Sequence, residues 1–144
     1  MPHPEQLRPG QDEAAVRLAM GEPSVRYPLA DGGQRLAYVQ GPRGLQTWFV
    51  DLDAQGRVLV VLQALTPARF AQVRPGMDAQ DLLRWLGPPA ERQREYMDKQ
   101  TWSWRYDNPQ CLWARITLNA RGQVIEGASF PMDPRCEVFE RGAR

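Results

Sequence analysis

The side chains that could do covalent chemistry are few, and their spacing argues against it. The one histidine, His3, sits in the proline-rich start Met1-Pro2-His3-Pro4, where a chain is poorly held and a general base cannot be positioned. The acid pairs Asp12 with Glu13 and Asp51 with Asp53 fall where turns and helix caps are expected, and those roles account for them. No glycine-rich phosphate loop and no metal-ligand spacing occurs. The expectation is a protein with no catalytic residue, no metal and no cofactor. Cys111 and Cys136 are too few for a disulfide scaffold and wrongly spaced for zinc, leaving room for one disulfide. Trp102 and Trp104 could form a ligand platform. They alternate on one predicted strand, however, at positions that align with Leu36 and Tyr38, which favours packing in a core. Arg8 and Arg74 recur beside Pro-Gly and fit either a partner's carboxylate or a cover for a helix start.

These side chains are positioned by a unit that occurs twice. A shift of 66 residues, without a gap, lays Arg8-Pro9-Gly10 on Arg74-Pro75-Gly76, Asp12 on Asp78, Gly21 and Pro23 on Gly87 and Pro89, and Leu52-Asp53-Ala54-Gln55-Gly56-Arg57-Val58 on Leu118-Asn119-Ala120-Arg121-Gly122-Gln123-Val124. Duplication explains this better than chance. Each copy begins with a Pro-Gly turn, and Asp12 or Asp78 follows as a helix N-cap. Ala15, Val16, Ala19 and Met20, and in the second copy Leu82, Leu83 and Leu86, make one apolar helical face. Gly21 and Gly87 suit the left-handed position after a helix, and Pro23 and Pro89 forbid continuation.

Alternating residues then predict strands at 34–40, 45–52 and 58–63, and again at 101–106, 111–118 and 124–130, with weaker ones near 24–27 and 92–96. The Asp53–Gly56 and Asn119–Gly122 stretches read as hairpin turns closing with glycine in a bulge. The fold class is therefore α+β, two tandem units of one helix on an antiparallel sheet, with the sheets adjoining and the helices on one face. Residues 1–66 form the first unit and 67–144 the second, joined by a short connector at 66–72. The hairpin register sets Cys111 opposite Pro131, and the turn-prone Met132-Asp133-Pro134-Arg135 brings Cys136 back to it, so a Cys111–Cys136 disulfide is expected.

Strict alternation also assigns the faces. With Trp48, Val50, Leu52, Val58, Val60 and Leu62 turned to the helix, Phe49, Leu59 and Val61 point to the opposite face. In the second unit Ala114, Ile116 and Leu118 turn inward, leaving Trp113, Arg115 and Ile125 outside, although Glu126 then falls on the inner side. Aromatic and aliphatic residues on an open face, joined by Arg115, have the composition of a protein-binding surface. The competing reading is that two sheets, or two molecules, cover each other's apolar faces. On the binding reading, polar substitution of Phe49 and Trp113 leaves the melting temperature nearly unchanged.

Composition bounds the partner. Eighteen basic residues against seventeen acidic ones give a formal charge of +1, which steers the chain neither to nucleic acid nor to an anionic membrane. No stretch is long and apolar enough to span a bilayer, and the first residues have no apolar segment of a secretory signal.

Pro75-Gly76-Met77-Asp78, the helix ending Leu86-Gly87-Pro88-Pro89, the strand with Trp102-Ser103-Trp104 and the hairpin at Arg121-Gly122-Gln123-Val124 resemble the SmpA/OmlA family, also called BamE-like. These are small bacterial outer-membrane lipoproteins. The first copy is less similar, with Gln11 where the motif has Met and Glu22 at the place of Pro88. The tandem layout is similar to that of β-lactamase-inhibitor protein, in which two such repeats make one concave sheet. The resemblance implies a periplasmic, outer-membrane-associated and non-enzymatic protein that works through protein partners. Its membrane attachment would be a lipid anchor, whose cysteine is absent from this chain because Cys111 and Cys136 lie far from the start. Two further classes stay open, an inhibitor of an enzyme and a binder of a small lipid or envelope component.

Overall fold

Asp12 and Asp78 start equivalent helices by the same device. In the computed structural model, which describes residues 4–41 and 44–136 and so leaves His3 outside the described residues, the Asp12 carboxylate accepts from the Ala15 N–H at 3.0 Å to open α1, Glu13–Met20. The Asp78 carboxylate likewise accepts from the Asp81 N–H at 2.8 Å to open the second long helix, Ala79–Leu86, and Asp81 returns a bond to the Asp78 N–H, completing a capping box. Gly21 (φ +80°) and Gly87 (φ +79°) then turn the chain away, a conformation that costs a side chain and that glycine adopts freely. Helices this short are marginal alone and persist because one face is packed. Val16 and Met20, and Leu82 and Leu86, are buried.

A third, shorter helix lies between the copies, in the stretch read as a plain connector. This is α2, Pro67–Phe70, which makes Ala79–Leu86 α3. Thr66 caps it, its hydroxyl accepting from the Arg69 N–H at 3.3 Å, and Pro67 sits in the first turn where its missing N–H does no harm. The Thr-Pro pair was the available signal.

The first copy forms β1 (Val25–Pro28), β2 (Gln34–Gln40), β3 (Gln46–Leu52) and β4 (Val58–Gln63) in one antiparallel sheet of that order. The second forms β5 (Glu91–Arg94), β6 (Gln100–Arg105) and β7 (Trp113–Leu118) in a separate antiparallel sheet. The α+β class and the helix-plus-sheet repeat are thus as the sequence indicates. Register repeats at the same offset: Leu36 pairs with Val50 and Trp102 with Ile116, while Leu52 and Leu118 face Val58 and Val124. So do details that no alignment displays. The Gly10 N–H donates to the Val58 carbonyl and Gly76 to Val124, at 2.8 and 2.9 Å. The Tyr38 hydroxyl donates to the Gly21 carbonyl, and the Trp104 indole N–H to the Gly87 carbonyl, each at 3.0 Å.

The predicted strand at 124–130 is reduced to bridges at Val124, Ser129 and Met132. From Leu118↔Val124 to Arg115↔Ser129 this segment advances five residues while β7 retreats three, so two residues bulge out around Glu126-Gly127. Glycine weakens a strand, and Pro131 has no N–H to give a ladder.

Two apolar clusters result. The smaller is local, with Val16 and Met20 of α1 packed on Leu36, Tyr38, Val50, Leu52 and Val58. The larger joins the copies: Leu82 and Leu86 of α3 and Trp102, Trp104, Ile116 and Leu118 beneath them share a core with Tyr27, Ala37 and Phe49 from the outer face of the first sheet. Trp102 and Trp104 are therefore core residues. α3 is covered on both sides, lying between its own sheet and the outer face of the other.

Candidate functional site

The two sheets have equivalent outer faces with opposite fates. In the first copy that face carries Arg35, Ala37, Thr47, Phe49 and Asp51, and α3 lies against it. A Cβ added at Gly87 would come within 2.8 Å of the Thr47 side chain and 3.4 Å of the Phe49 ring. Arg35 holds Asp51 through two bonds of 2.7 and 2.9 Å and donates to the Arg84 carbonyl, while Arg69 donates to the Trp85 carbonyl at 2.7 Å. Both carbonyls belong to the last turn of α3, which has no following turn to satisfy them and carries the negative end of the helix dipole. The Arg69 guanidinium also stacks 3.7 Å from the Trp85 ring centroid.

In the second copy the equivalent positions are Thr101, Ser103, Trp113, Arg115 and Thr117, joined by Arg105. This face is mostly polar, with Thr101, Ser103, Arg105 and Trp113 buried and Arg115 and Thr117 half-buried, and the bonds and stacking contacts of its side chains come, among the described residues, from the sheet itself, from Glu95 and from the segment around Asp133. Arg105 donates through Nε to Asp133 at 2.8 Å and through a terminal nitrogen to Glu91 at 3.2 Å. Burial raises the Asp133 carboxyl, but the Arg135 backbone N–H and the Arg105 guanidinium outweigh it and hold it below the ordinary aspartate value. Burial also opposes the charge on Arg105, and its bonds to Asp133 and Glu91 prevail, raising its pKa. The pair is thus ionised and internally satisfied. Arg115 differs. Its nearest carboxylate oxygen, on Glu95, is 4.0 Å away, and its buried Nε has no hydrogen-bond partner among the described residues.

Several expected surface residues are placed otherwise. Phe49 has no exposed surface and sits in the shared core under α3. Its face of the first sheet mixes apolar residues with the paired Arg35 and Asp51, and α3 of the second copy covers it. Val61 pairs with Val50 and packs with the α1 cluster, whereas Leu62 pairs with Phe49 on the outer side. The cause is a bulge: Leu52 faces Val58 and Asp51 faces Val60, leaving Leu59 without a partner, so alternation reverses along β4. Leu59 itself is 54% exposed at that bulge. Trp113 lies on the outer face as read but is only 5% exposed, because the Arg105 and Arg115 guanidiniums lie 5.0 and 5.7 Å from its ring centroid. Arg115 and Ile125 are half-buried, and Glu126 is exposed rather than turned inward. Arg8 spends its guanidinium on the Glu5 and Leu7 carbonyls.

Cys111 and Cys136 are joined as a disulfide, Cα to Cα 6.5 Å, which ties the segment after Pro131 to the residues just before β7. Cys111 and its neighbours, with Arg105, Tyr106, Leu112 and Asp133, line a cavity of about 560 Å³. Sequence reasoning missed Arg105, Glu91 and Asp133 because they are far apart along the chain. The one available signal was an arginine where the other copy has Val39. Among the described residues, no three His, Cys, Asp or Glu side chains are grouped to hold a metal ion.

No family model matches the chain, and no curated protein matches it. Among solved structures it is similar to an extracellular protein containing a SCP domain from Bacillus anthracis str. Ames, at 16% identity and a TM-score of 0.32, over 92% of this chain and 46% of that one. It is also similar to a DUF4309 family protein (YjgB) from Bacillus subtilis subsp. subtilis str. 168, at 13% identity and a TM-score of 0.31, over 85% of this chain and 79% of that one. The chain thus spans less than half of the first of these proteins. Likeness at that level carries no argument, and the SmpA/OmlA resemblance rests on the repeated residues alone.

Proposed function

We propose that this chain is a non-enzymatic binding protein of the bacterial envelope that engages a partner protein through the outer face of its second sheet. One observation carries the reading: of two equivalent sheet faces, the first is covered by α3, and the second has no helix laid on it and carries Arg115, whose buried Nε, like that of Arg69 at the first face, has no hydrogen-bond partner among the described residues. A buried donor without an acceptor is costly, and an incoming carboxylate or carbonyl would satisfy it. The SmpA/OmlA resemblance supports an assembly or integrity role at the outer membrane, and the Cys111–Cys136 disulfide suits an oxidising compartment. No helix among the described residues is long and apolar enough to cross a membrane.

The test is capture from envelope extract on the immobilised chain, native against Arg115→Glu. The variant should lose the partner while keeping the native circular dichroism spectrum. Equal recovery of the same protein by both chains rejects this face.

A further inference from the structure

The two copies close the equivalent hairpin over the same number of residues but with different backbones. Between β1 and β2 the Leu29 N–H donates to the Gly33 carbonyl at 2.9 Å, and between β5 and β6 the Glu95 N–H donates to the Lys99 carbonyl at 2.7 Å. In the first copy the turn reads Leu29-Ala30-Asp31-Gly32-Gly33, and the left-handed residue is Gly32, at φ +82°. This is the local solution a tight turn asks for. The second copy reads Glu95-Tyr96-Met97-Asp98-Lys99, and without any glycine it places Met97 at φ +63° and Asp98 at φ +58°. Left-handed backbone is unfavourable for an unbranched apolar side chain such as Met, and strain of this kind clusters at functional sites and at covalent or packing constraints such as that at Cys111, φ +56°.

The left-handed Met97 is exposed, and so is Tyr96 beside it, whose own φ is not positive. Tyr96 is 87% and Met97 69% exposed. Neither side chain makes a hydrogen bond or an aromatic contact among the described residues. The first copy has Ala30 and Asp31 at these places. The fold therefore needs neither large side chain, nor the strain that presents them.

We infer that the Tyr96–Met97 tip is the anchor that enters a cleft on the partner protein. This deepens, and rests on, the reading of the chain as a protein binder. A tyrosine at a rigid turn supplies contact area at low entropic cost, and methionine adapts to an irregular apolar wall. The charges around the tip select a protein rather than a bilayer. Glu95 and Asp98 flank it, each 4.0 Å from an arginine, Arg115 and Arg94 respectively, so the rim carries both signs, and a protein cleft with a mixed polar rim can match both where a uniformly anionic surface matches one. Arg115 stands 4.0 Å from Glu95, so the tip and the outer face make one continuous surface.

The experiment uses the full chain carrying p-benzoylphenylalanine at position 96, at position 117 beside Arg115 on the outer face, or at position 30, the tip of the other copy, irradiated in envelope extract of the native cell. Positions 96 and 117 should give a discrete adduct with one other protein, and position 30 none. Excess unlabelled chain should compete the adduct away, while the chain carrying Tyr96→Ala and Met97→Gly should not. Met97→Gly alone should raise Tm while weakening the adduct at 117, because glycine relieves the backbone and removes the anchor. An adduct at 117 but not at 96 overturns the tip and leaves protein binding standing. Adducts with lipid, with a second copy of this chain, or in equal yield from position 30 also overturn it, and no adduct at any position rejects both readings.

Discussion

The duplicated halves share a frame down to individual hydrogen bonds and differ in what became of one face. In the first copy Val25, Tyr27, Ala37, Phe49 and Leu62 make the outer face apolar, and α3 of the other copy is laid on it. At the same positions the second copy has Glu91, Gln93, Ser103, Arg115 and an irregular edge. A sheet covered on both faces is more apolar on both, with any polar residue there paired as Arg35 and Asp51 are, and one covered by a helix on a single face keeps a polar outer side. The difference teaches that a repeat does not decide its own surface. Each copy has the composition suited to the neighbour it has, and among the described residues no helix covers the outer face of the second sheet, where Arg115 and Thr117 are half-buried and Thr101, Ser103, Arg105 and Trp113 are buried.

The largest expected effect tests this asymmetry at a single aligned position. Phe49→Ala should cost about 3–5 kcal/mol in chemical denaturation, as for other buried phenylalanines, whereas Arg115→Ala should stay within about 0.5 kcal/mol. A small loss at Phe49 would mean that α3 does not cover the first sheet, and the comparison would collapse. This reverses the expectation from strand alternation, on which Phe49 could be made polar at no cost to stability.

Next in size is the tether that only the second copy has. Cys111 aligns with Leu45, and the disulfide closes a loop of 25 residues. Replacing both cysteines by alanine should cost about 3 kcal/mol on loop entropy. Mass spectrometry of alkylated, non-reduced protein should find no free thiol at either position. Two alkylated cysteines in material from an oxidising compartment would remove this difference between the copies.

The smallest effect separates the copies by pH. Tyr38 and Trp104 make the same bond to a helix-terminal glycine carbonyl, but only tyrosine titrates. Burial pushes the Tyr38 phenol up to about 12, above the value of about 10 it has in an unfolded chain. The folded state thus holds this proton more tightly, and the associated stability is complete below about pH 10 and is lost as pH rises toward 12. Tyr38→Phe should cost about 1 kcal/mol near neutrality and flatten the alkaline limb of a stability profile followed by circular dichroism. An unchanged alkaline limb would mean that Tyr38 ionises as easily folded as unfolded.

Near-neighbour chemistry was legible in the sequence. The caps at Asp12 and Asp78, the stops at Gly21 and Gly87, the hairpins closed at Gly56 and Gly122 and the repeat itself follow from residues within a few positions of one another, so each could be read where it stands. Thr66-Pro67 belongs to the same kind, and its helix was there to be read. The bulge at Leu59 was not, because one unpaired residue in β4 reverses every later side chain and its place is set by β3 across the ladder. Nor was the covering of Phe49, which depends on α3, a segment that local pattern assigns only to its own sheet. The Arg105 network and the exposed Tyr96–Met97 tip are likewise long-range facts, one assembled from β5, β6 and the segment after β7, the other visible as strain only beside the glycine turn of the other copy. Local propensity fixed the elements because backbone energetics act over a few residues. Burial of one copy's face by the other copy's helix is a contact between distant segments, and only the tertiary structure decides it.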